Sequence, residues 1–257
     1  MAASRSRTPT TATTDNGAVF AITEHAMTTF DPTRHQSVFC PATFGAQRVA
    51  VVGCGATGSY VALQLAKLGI RNIDLYDGDV VENHNIANQL FGPYDVGRNK
   101  AAALRDILIA LAGHYALHVN VGGFITPDML PQVFYNTSYV FLLVDNLEAR
   151  RFIAEGAGNC ILLKSMIETR LGTRHVEVRS FRPSRREQLA NFISTIHDDA
   201  EVETSACGTS VTVGPTAAFL ASLAVWRFIN ITTDADEQQY CSQLLCLEPP
   251  LFEEAFR

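Results

Sequence analysis

The residues best suited to chemistry stand in two short runs. In the first, Val49 to Ser59 (VAVVGCGATGS) places Gly53, Gly55 and Gly58 at G-x-G-x-x-G spacing behind small β-branched residues, with Asp77 farther along. Gly53 permits a tight turn out of a strand. Gly55 lets a phosphate approach the backbone, and Gly58 lets helix and strand pack closely. A helix starting at this turn offers unpaired N–H groups and a partial positive charge to an anion. Asp77 ends the strand-like run Ile73 to Tyr76, where a carboxylate accepts hydrogen bonds from ribose hydroxyls. Strand, turn, helix, strand and acid come in the order that nucleotide binding requires. Cys54, inside the turn, reads as a small packed hydrophobe.

The second run begins at Asp77 and carries Asp79, Glu82, His84, Asn85, Asn88 and Gln89, followed by Gly97-Arg98-Asn99-Lys100. A further set, Asp145, Asn146 and Arg150, follows the apolar segment Tyr139 to Val144. Each of these residues has a plain structural reading beside the chemical one. Lys100 starts a helix whose outer face would carry a lysine in any case. Asp145 ends a buried strand, where an acid commonly caps the next helix. Asp79 and Glu82 also read as solvated loop charges, and His84 as a loop histidine bonded to backbone. Arg150 either touches ligand, orients Asp145 or sits in a structural ion pair.

The elements that must hold these groups alternate regularly from Arg48 onward. Strand 48–53, helix 58–68 and strand 71–76 lead into an irregular polar loop from Asp77 to Tyr94. Helix 98–111, strand 115–121 and a short helix from Thr126-Pro127 to Phe134 come next. The continuously apolar strand 139–144 is the kind that is covered on both faces. A helix at 148–156 and a strand from Ile161 to Ser165 continue the rhythm. These alternations predict an α/β fold, a Rossmann-like doubly wound, mostly parallel sheet. Its ligands bind outside the carboxyl ends of the strands, which places Gly53, Asp77 and Asp145 on one crevice. Past residue 170 the pattern changes. His175 to Phe181 alternates like an antiparallel extension, Pro183 to Glu203 is a polar acidic stretch, and a long apolar helix starts near Pro215.

Composition bounds the partners. At 257 residues, 47% apolar, the chain suits a single nucleotide-binding domain over 41–257 behind a disordered or extended N-terminal tail over 1–40. That tail, with Arg5 and Arg7 and no acid in its first residues, is also compatible with an organellar transit segment. A net charge of −6 and the lack of a basic run argue against a nucleic-acid partner. The six scattered cysteines have no C-x-x-C spacing, which suits reduced thiols in the cytoplasm. The apolar stretch from Ala217 to Ile229 is short for a bilayer and contains Arg227, so it reads as a core helix and no membrane partner is expected.

Taken together, the glycine turn, Asp-x-Asp, Asn-x-x-x-Gln, Gly-x-x-Lys and Asp-Asn-x-x-x-Arg motifs resemble the ThiF/MoeB/HesA family, bacterial relatives of the ubiquitin-activating enzymes. The resemblance runs from about residue 45 to 230 and includes the closing Cys207-Gly-Thr segment to Pro215. It implies an ATP-dependent adenylyltransferase, working with Mg2+ as a homodimer. The enzyme would activate the C-terminal carboxylate of a small ubiquitin-like or sulfur-carrier protein as an acyl adenylate. By the same resemblance Gly53, Gly55, Ala56 and Gly58 form the phosphate turn, and Asp77 holds the ribose. Asn85 donates to phosphate, Lys100 supplies a cation to the phosphates, and Asp145 holds the metal. The departures from the pattern are informative. Asn88 stands where the family usually has an arginine on the triphosphate, Asp79 and Arg98 are the nearby charged groups, and Arg98 is the candidate substitute for the missing charge. Ala56 replaces a family glycine. Arg34-His-Gln36 is a faint counterpart of the family's N-terminal arginine motif. The cysteine pairs that bind zinc in many members are absent, so no zinc is expected. Cys207 occupies the place of an acyl- or sulfur-accepting cysteine in some members, but also reads as an inert loop thiol among Asp198, Asp199, Glu201 and Glu203. Two other classes stay open: a non-catalytic nucleotide- or partner-binding relative, and a nicotinamide-dependent dehydrogenase using Asp77 on the adenosine ribose.

Overall fold

The computed structural model of the protein describes residues 30–112, 118–171, 175–196, 213–233 and 241–246. Seven strands form one sheet: β1 (Arg48–Val52), β2 (Asn72–Tyr76), β3 (His118–Gly122), β4 (Thr137–Leu142), β5 (Ser165–Leu171), β6 (His175–Phe181) and β7 (Cys241–Cys246). Their order is β3-β2-β1-β4-β5-β6-β7. Strands β1 to β5 pair in parallel, whereas β6 and β7 add on antiparallel. The doubly wound sheet with an antiparallel extension is therefore the architecture that the alternation of elements predicts.

Helices cover both faces of the sheet. α2 (Ala56–Lys67), α3 (Lys100–Ala112) and α7 (Gly214–Thr233) pack on one side, together with the short α1 (Pro41–Phe44). α4 (Leu130–Phe134), α5 (Leu147–Ala157) and α6 (Arg186–Ser194) pack on the other. Strand β1 shows why the sheet is sandwiched. Val49 and Val51 point into the first core and Ala50 and Val52 into the second, so the period-two alternation delivers apolar side chains to both layers. At the centre of the first core, Phe228 of α7 meets Phe39, Phe44, Tyr139 and Phe141 with ring centroids 5.2–6.0 Å apart. Such aromatic burial dominates core energetics. It also settles α7 as a core helix, although Phe219 and Trp226 remain exposed on it.

Four features depart from the sequence reading. Residues 30–40, placed in the tail, are folded back on the domain: Phe39 is buried in the core and Phe30 lies against Gly69. The strand expected at Ile161 to Ser165 begins where that segment ends. Ile161 and Leu162 are exposed at 90% and 64%, and β5 runs on through Glu168 and Arg170. Inside the polar stretch 183–203, α6 forms because Leu189, Phe192 and Ile193 share a face that packs on the second core. Strand β7 completes the sheet beyond β6, where no strand was expected.

Candidate active site at the carboxyl edge

Strand order reverses between β1 and β4, and the glycine turn leaves β1 at this switch point. The turn is pinned to both neighbours: the Gly53 N–H donates to Tyr76 O at 2.8 Å, and the Leu143 N–H donates to Val52 O at 2.7 Å. Gly53 has φ +96°, and a Cβ there would stand 2.7 Å from the Leu143 carbonyl oxygen. A Cβ on Gly58 would fall 1.9 Å from Gly53 O, because α2 presses directly on the turn. Gly55, the N-cap of α2, has nothing within 4 Å of its Cβ direction. The three glycines thus divide in the structure: Gly53 and Gly58 allow close backbone approach, and Gly55 opens on free space at a helix start. Ala56 is the first residue of α2.

Asp77 leaves β2 beside this turn and is buried. Its Oδ2 accepts the Cys54 N–H at 2.7 Å, and its Oδ1 accepts the Asp79 N–H at 2.9 Å. Burial pushes the Asp77 carboxyl above the usual carboxylate range. The Cys54 and Asp79 N–H groups and the Lys100 ammonium pull it back down in part. Cys54 is fully buried, and burial followed by the Asp77 carboxylate raises its thiol well above the ordinary value, so it packs as an inert hydrophobe.

Lys100 starts α3 at the same edge. Its Nζ lies 2.9 Å from Asp79 Oδ2, and its backbone N–H donates to Asp79 O at 2.9 Å. Only 12% of the Lys100 side chain is exposed, against 53% for Asp79. Asn99, which the sequence reading left without a role, ties the two segments together. Its Nδ2 donates to Asp77 O at 2.9 Å, and its Oδ1 accepts the Ala102 N–H at 3.0 Å, capping α3. The signal was available, since an asparagine directly before a helix is a strong cap.

Asn85 is buried in a 3-10 turn, and its Oδ1 accepts the Glu82 N–H at 2.9 Å. The carboxamide orientation follows from that bond, leaving Nδ2 as the end that can donate. Asn88 closes the same turn beside the start of α7: a Cβ on Gly214 would come within 3.4 Å of Asn88 Cα. The neutral residue thus adjoins the positive end of a 20-residue helix. His84 pairs with Glu82 at 3.4 Å on the exposed side of this turn.

Asp145 follows β4 at the same carboxyl edge and is exposed, and Asn146 behind it caps α5 by accepting the Ala149 N–H at 2.8 Å. Asp77, Lys100 and Asp145 therefore share one edge of the sheet with the Gly53 turn. Two arginines go elsewhere. Arg98 is held by Asp95 at 3.0 Å and by Asp106, so its use at a phosphate requires leaving both carboxylates. Arg150 is buried and pairs with Glu168 Oε1 at 2.7 Å, which makes it part of an ion pair rather than an exposed ligand group. Cys207 lies outside the described residues.

A magnesium ion bound with a nucleotide usually takes one or two protein carboxylates, the phosphates and water, without an all-protein cage. An exposed Asp145 at the carboxyl edge fits that mode of binding, and no cluster of three or more metal-ligating side chains occurs among the described residues.

The raised Asp77 carboxyl has two consequences with defined signs. The folded chain holds this proton more tightly than the unfolded chain. The group therefore favours folding most at low pH, and that contribution is lost as pH rises through the raised folded value. If Asp77 accepts the ribose hydroxyls, as the resemblance implies, nucleotide affinity should move the opposite way and rise with pH as the carboxylate forms. Asp77→Asn is expected to weaken ATP about tenfold at neutral pH and to flatten this acid limb. Calorimetric titrations across a pH series check it, and a limb that persists in the variant would assign the titration to another group.

Comparison with known proteins places these features in context. The sequence profile of the ThiF family matches residues 42–256. The chain is 34% identical over 113 residues to the adenylyltransferase and sulfurtransferase uba4 of Aspergillus fumigatus, a match covering 44% of this chain and 23% of that protein. It is 31% identical over 142 residues to the ubiquitin-like modifier-activating enzyme 5 of Caenorhabditis elegans, covering 50% of this chain and 34% of the relative. The matches thus span about a third or less of these curated relatives' length. Among solved structures, the E. coli tRNA N6-threonylcarbamoyladenosine dehydratase TcdA in complex with ATP superposes with a TM-score of 0.61 at 18% identity, covering 80% of this chain and 96% of that one. At that identity the likeness shows a shared fold.

Proposed function

This chain belongs to the ThiF family, and on that premise we propose that it is an ATP-dependent adenylyltransferase. Its substrate would be the C-terminal carboxylate of a small ubiquitin-like or sulfur-carrier protein. The observation that carries the reading is the meeting of Asp77, Asp79 and Lys100 beside the open Gly55 turn, with Lys100 Nζ 2.9 Å from Asp79. Phosphates at the start of α2 would draw Lys100 away from Asp79 or share it.

In the reaction, an oxygen of the carrier's carboxylate attacks the α-phosphorus of ATP. The new bond joins that oxygen to phosphorus, the bond from the α-phosphorus to the bridging oxygen breaks, and pyrophosphate leaves. Positioning and charge neutralisation supply most of the catalysis in such transfers. Asp77 accepts the ribose hydroxyls, Asn85 donates its Nδ2 to phosphate, and Lys100 balances triphosphate charge. Asp145 would hold Mg2+, which when bound would supply charge neutralisation to the triphosphate. The neutral Asn88 leaves one cation fewer than the family pattern, and the positive end of α7 offsets part of that loss. Arg98 is the candidate to supply the rest. An Arg98→Ala variant that loses most exchange, yet melts normally without nucleotide, would place it on the triphosphate. Full retention would leave it to Asp95 and Asp106.

The name of one relative, a ubiquitin-like modifier-activating enzyme, supports a protein substrate, and that of the other, an adenylyltransferase and sulfurtransferase, supports adenylyl transfer. Cys207 is the candidate acceptor thiol, and mass spectrometry of carrier-treated enzyme would reveal a thiol-linked adduct. A homodimer in the cytoplasm completes the proposal. The exposed Phe219 and Trp226 of α7 supply an apolar surface for pairing. Light scattering tests the dimer, and cell fractionation tests the compartment. The activity itself is tested by ATP–pyrophosphate exchange with small proteins ending in Gly-Gly that co-purify with the chain. A second reading, a nucleotide-binding relative without catalysis, is favoured by Asn88. Tight ATP binding without exchange in the presence of a co-purifying carrier would select it. A dehydrogenase would leave Asn85, Lys100 and Asp145 without roles, and preference for ATP over NAD in binding assays separates the two.

A further inference from the structure

Glu168 stands in β5 with its side chain fully buried, and one of its oxygens does all the visible work. Oε1 accepts Arg150 Nη1 at 2.7 Å and Arg170 Nε at 3.0 Å. Oε2 is buried and has no hydrogen-bond partner among the described residues. Each arginine then reaches a second place. Arg150 Nη2 donates to Val144 O at 2.6 Å. Arg170 donates to Thr195 O and Oγ1, both at 2.8 Å, at the end of α6.

The Val144 contact is the informative one. Pairing between β4 and β5 runs from Tyr139 with Ser165 to Leu142 with Glu168, and stops there. The Val144 carbonyl lies beyond the ladder and receives no backbone donor among the described residues, so the Arg150 guanidinium takes that place. Val144 immediately precedes Asp145, and its carbonyl belongs to the peptide that sets the direction in which Asp145 leaves the strand. Arg150 also sits on α5, whose N-cap Asn146 is the next residue after Asp145. The guanidinium of an α5 residue thus bonds the carbonyl directly before Asp145, and Glu168 holds that guanidinium in place. A buried ion pair is often no more stabilising than apolar residues of similar volume. Arginine–carboxylate pairs are frequently two-oxygen forks, whereas here Oε1 alone takes both arginines.

We propose that Glu168 is a positioning residue for Asp145: through Arg150 and the Val144 carbonyl it aims the Asp145 carboxylate at the metal-bound triphosphate. The inference rests on the reading of Asp145 as the carboxylate that meets Mg·ATP. Glu168 touches neither nucleotide nor metal.

The test is ATP binding by calorimetry, once with excess MgCl2 and once in EDTA, for wild type, Asp145→Asn, Glu168→Gln and the double variant. Glu168→Gln should weaken ATP at least tenfold in Mg2+ and less than twofold in EDTA, matching the pattern of Asp145→Asn. The double variant should lose no more than the weaker single variant, because both act on one contact. A merely structural glutamate predicts a lowered melting temperature with equal losses in both buffers and additive effects. That outcome overturns the proposal. If Asp145→Asn shows the Mg2+-specific loss and Glu168→Gln does not, the clamp is rejected while Asp145 keeps its role. If Asp145→Asn shows no such loss, the reading of Asp145 falls and the clamp with it. Should Glu168→Gln fail to fold, Glu168→Gln with Arg150→Gln removes the isolated buried cation and is read by the same criteria.

Discussion

Replacing Lys100 by alanine is expected to lower pyrophosphate exchange about 100- to 1,000-fold, the usual cost of removing one preorganised electrostatic contact to a developing charge. The melting temperature should hardly move. The Lys100–Asp79 pair has a half-exposed acid, with 53% of the Asp79 side chain in solvent, and such pairs contribute no more than about 1 kcal/mol. Lys100 is nevertheless well placed for a large functional effect. It is 12% exposed, starts α3, and is close enough to Asp77 to lower the carboxyl of that buried acid. Its ammonium and the first N–H groups of the helix present positive charge from the same direction. Lys100→Arg should restore only part of the activity, because the planar guanidinium cannot occupy the compact site of an ammonium beside Asp79. Exchange within twofold of wild type in Lys100→Ala would remove this residue from the site.

The second large effect separates two glycines of one motif. Gly58→Ala should cost at least about 3 kcal/mol or leave no soluble protein, because its Cβ meets Gly53 O at 1.9 Å and Gly53 C at 2.9 Å, both backbone atoms that cannot swing away. Gly55→Ala should cost far less, about 1 kcal/mol, since no atom lies within 4 Å of the added methyl. The same methyl would point into the space that the proposed function gives to phosphate, so ATP affinity should drop at least about tenfold. Chemical denaturation and calorimetric binding of both variants distinguish the two roles. A Gly55→Ala protein that binds ATP as well as wild type would place the nucleotide elsewhere.

The two glycines also show how far local sequence carries. From β1 through α2 to Asp77, spacing alone defined each element to within a few residues, because the turn is built from contacts between residues close in the chain. The antiparallel β6 was equally legible from the alternation of His175 to Phe181. β5 was misplaced for a physical reason. Ile161 and Leu162 look like strand residues yet stand exposed, while the true strand contains Glu168 and Arg170, whose charges are tolerable only because Arg150 and Thr195 meet them there. α6 was hidden because its apolar face is narrow and surrounded by charge.

The amino-acid order by itself therefore determined the glycine turn, the acid that follows it, the lysine at a helix start and the edge of the sheet on which they meet. Tertiary structure alone decided where the long charged side chains spend their charge. Arg98 turns to Asp95 and Asp106, and Arg150 turns inward to Glu168 and Val144. Backbone turns follow from near neighbours and steric limits, which sequence spacing encodes. The reach of an arginine depends on which distant carboxylate or carbonyl the folded sheet brings beside it.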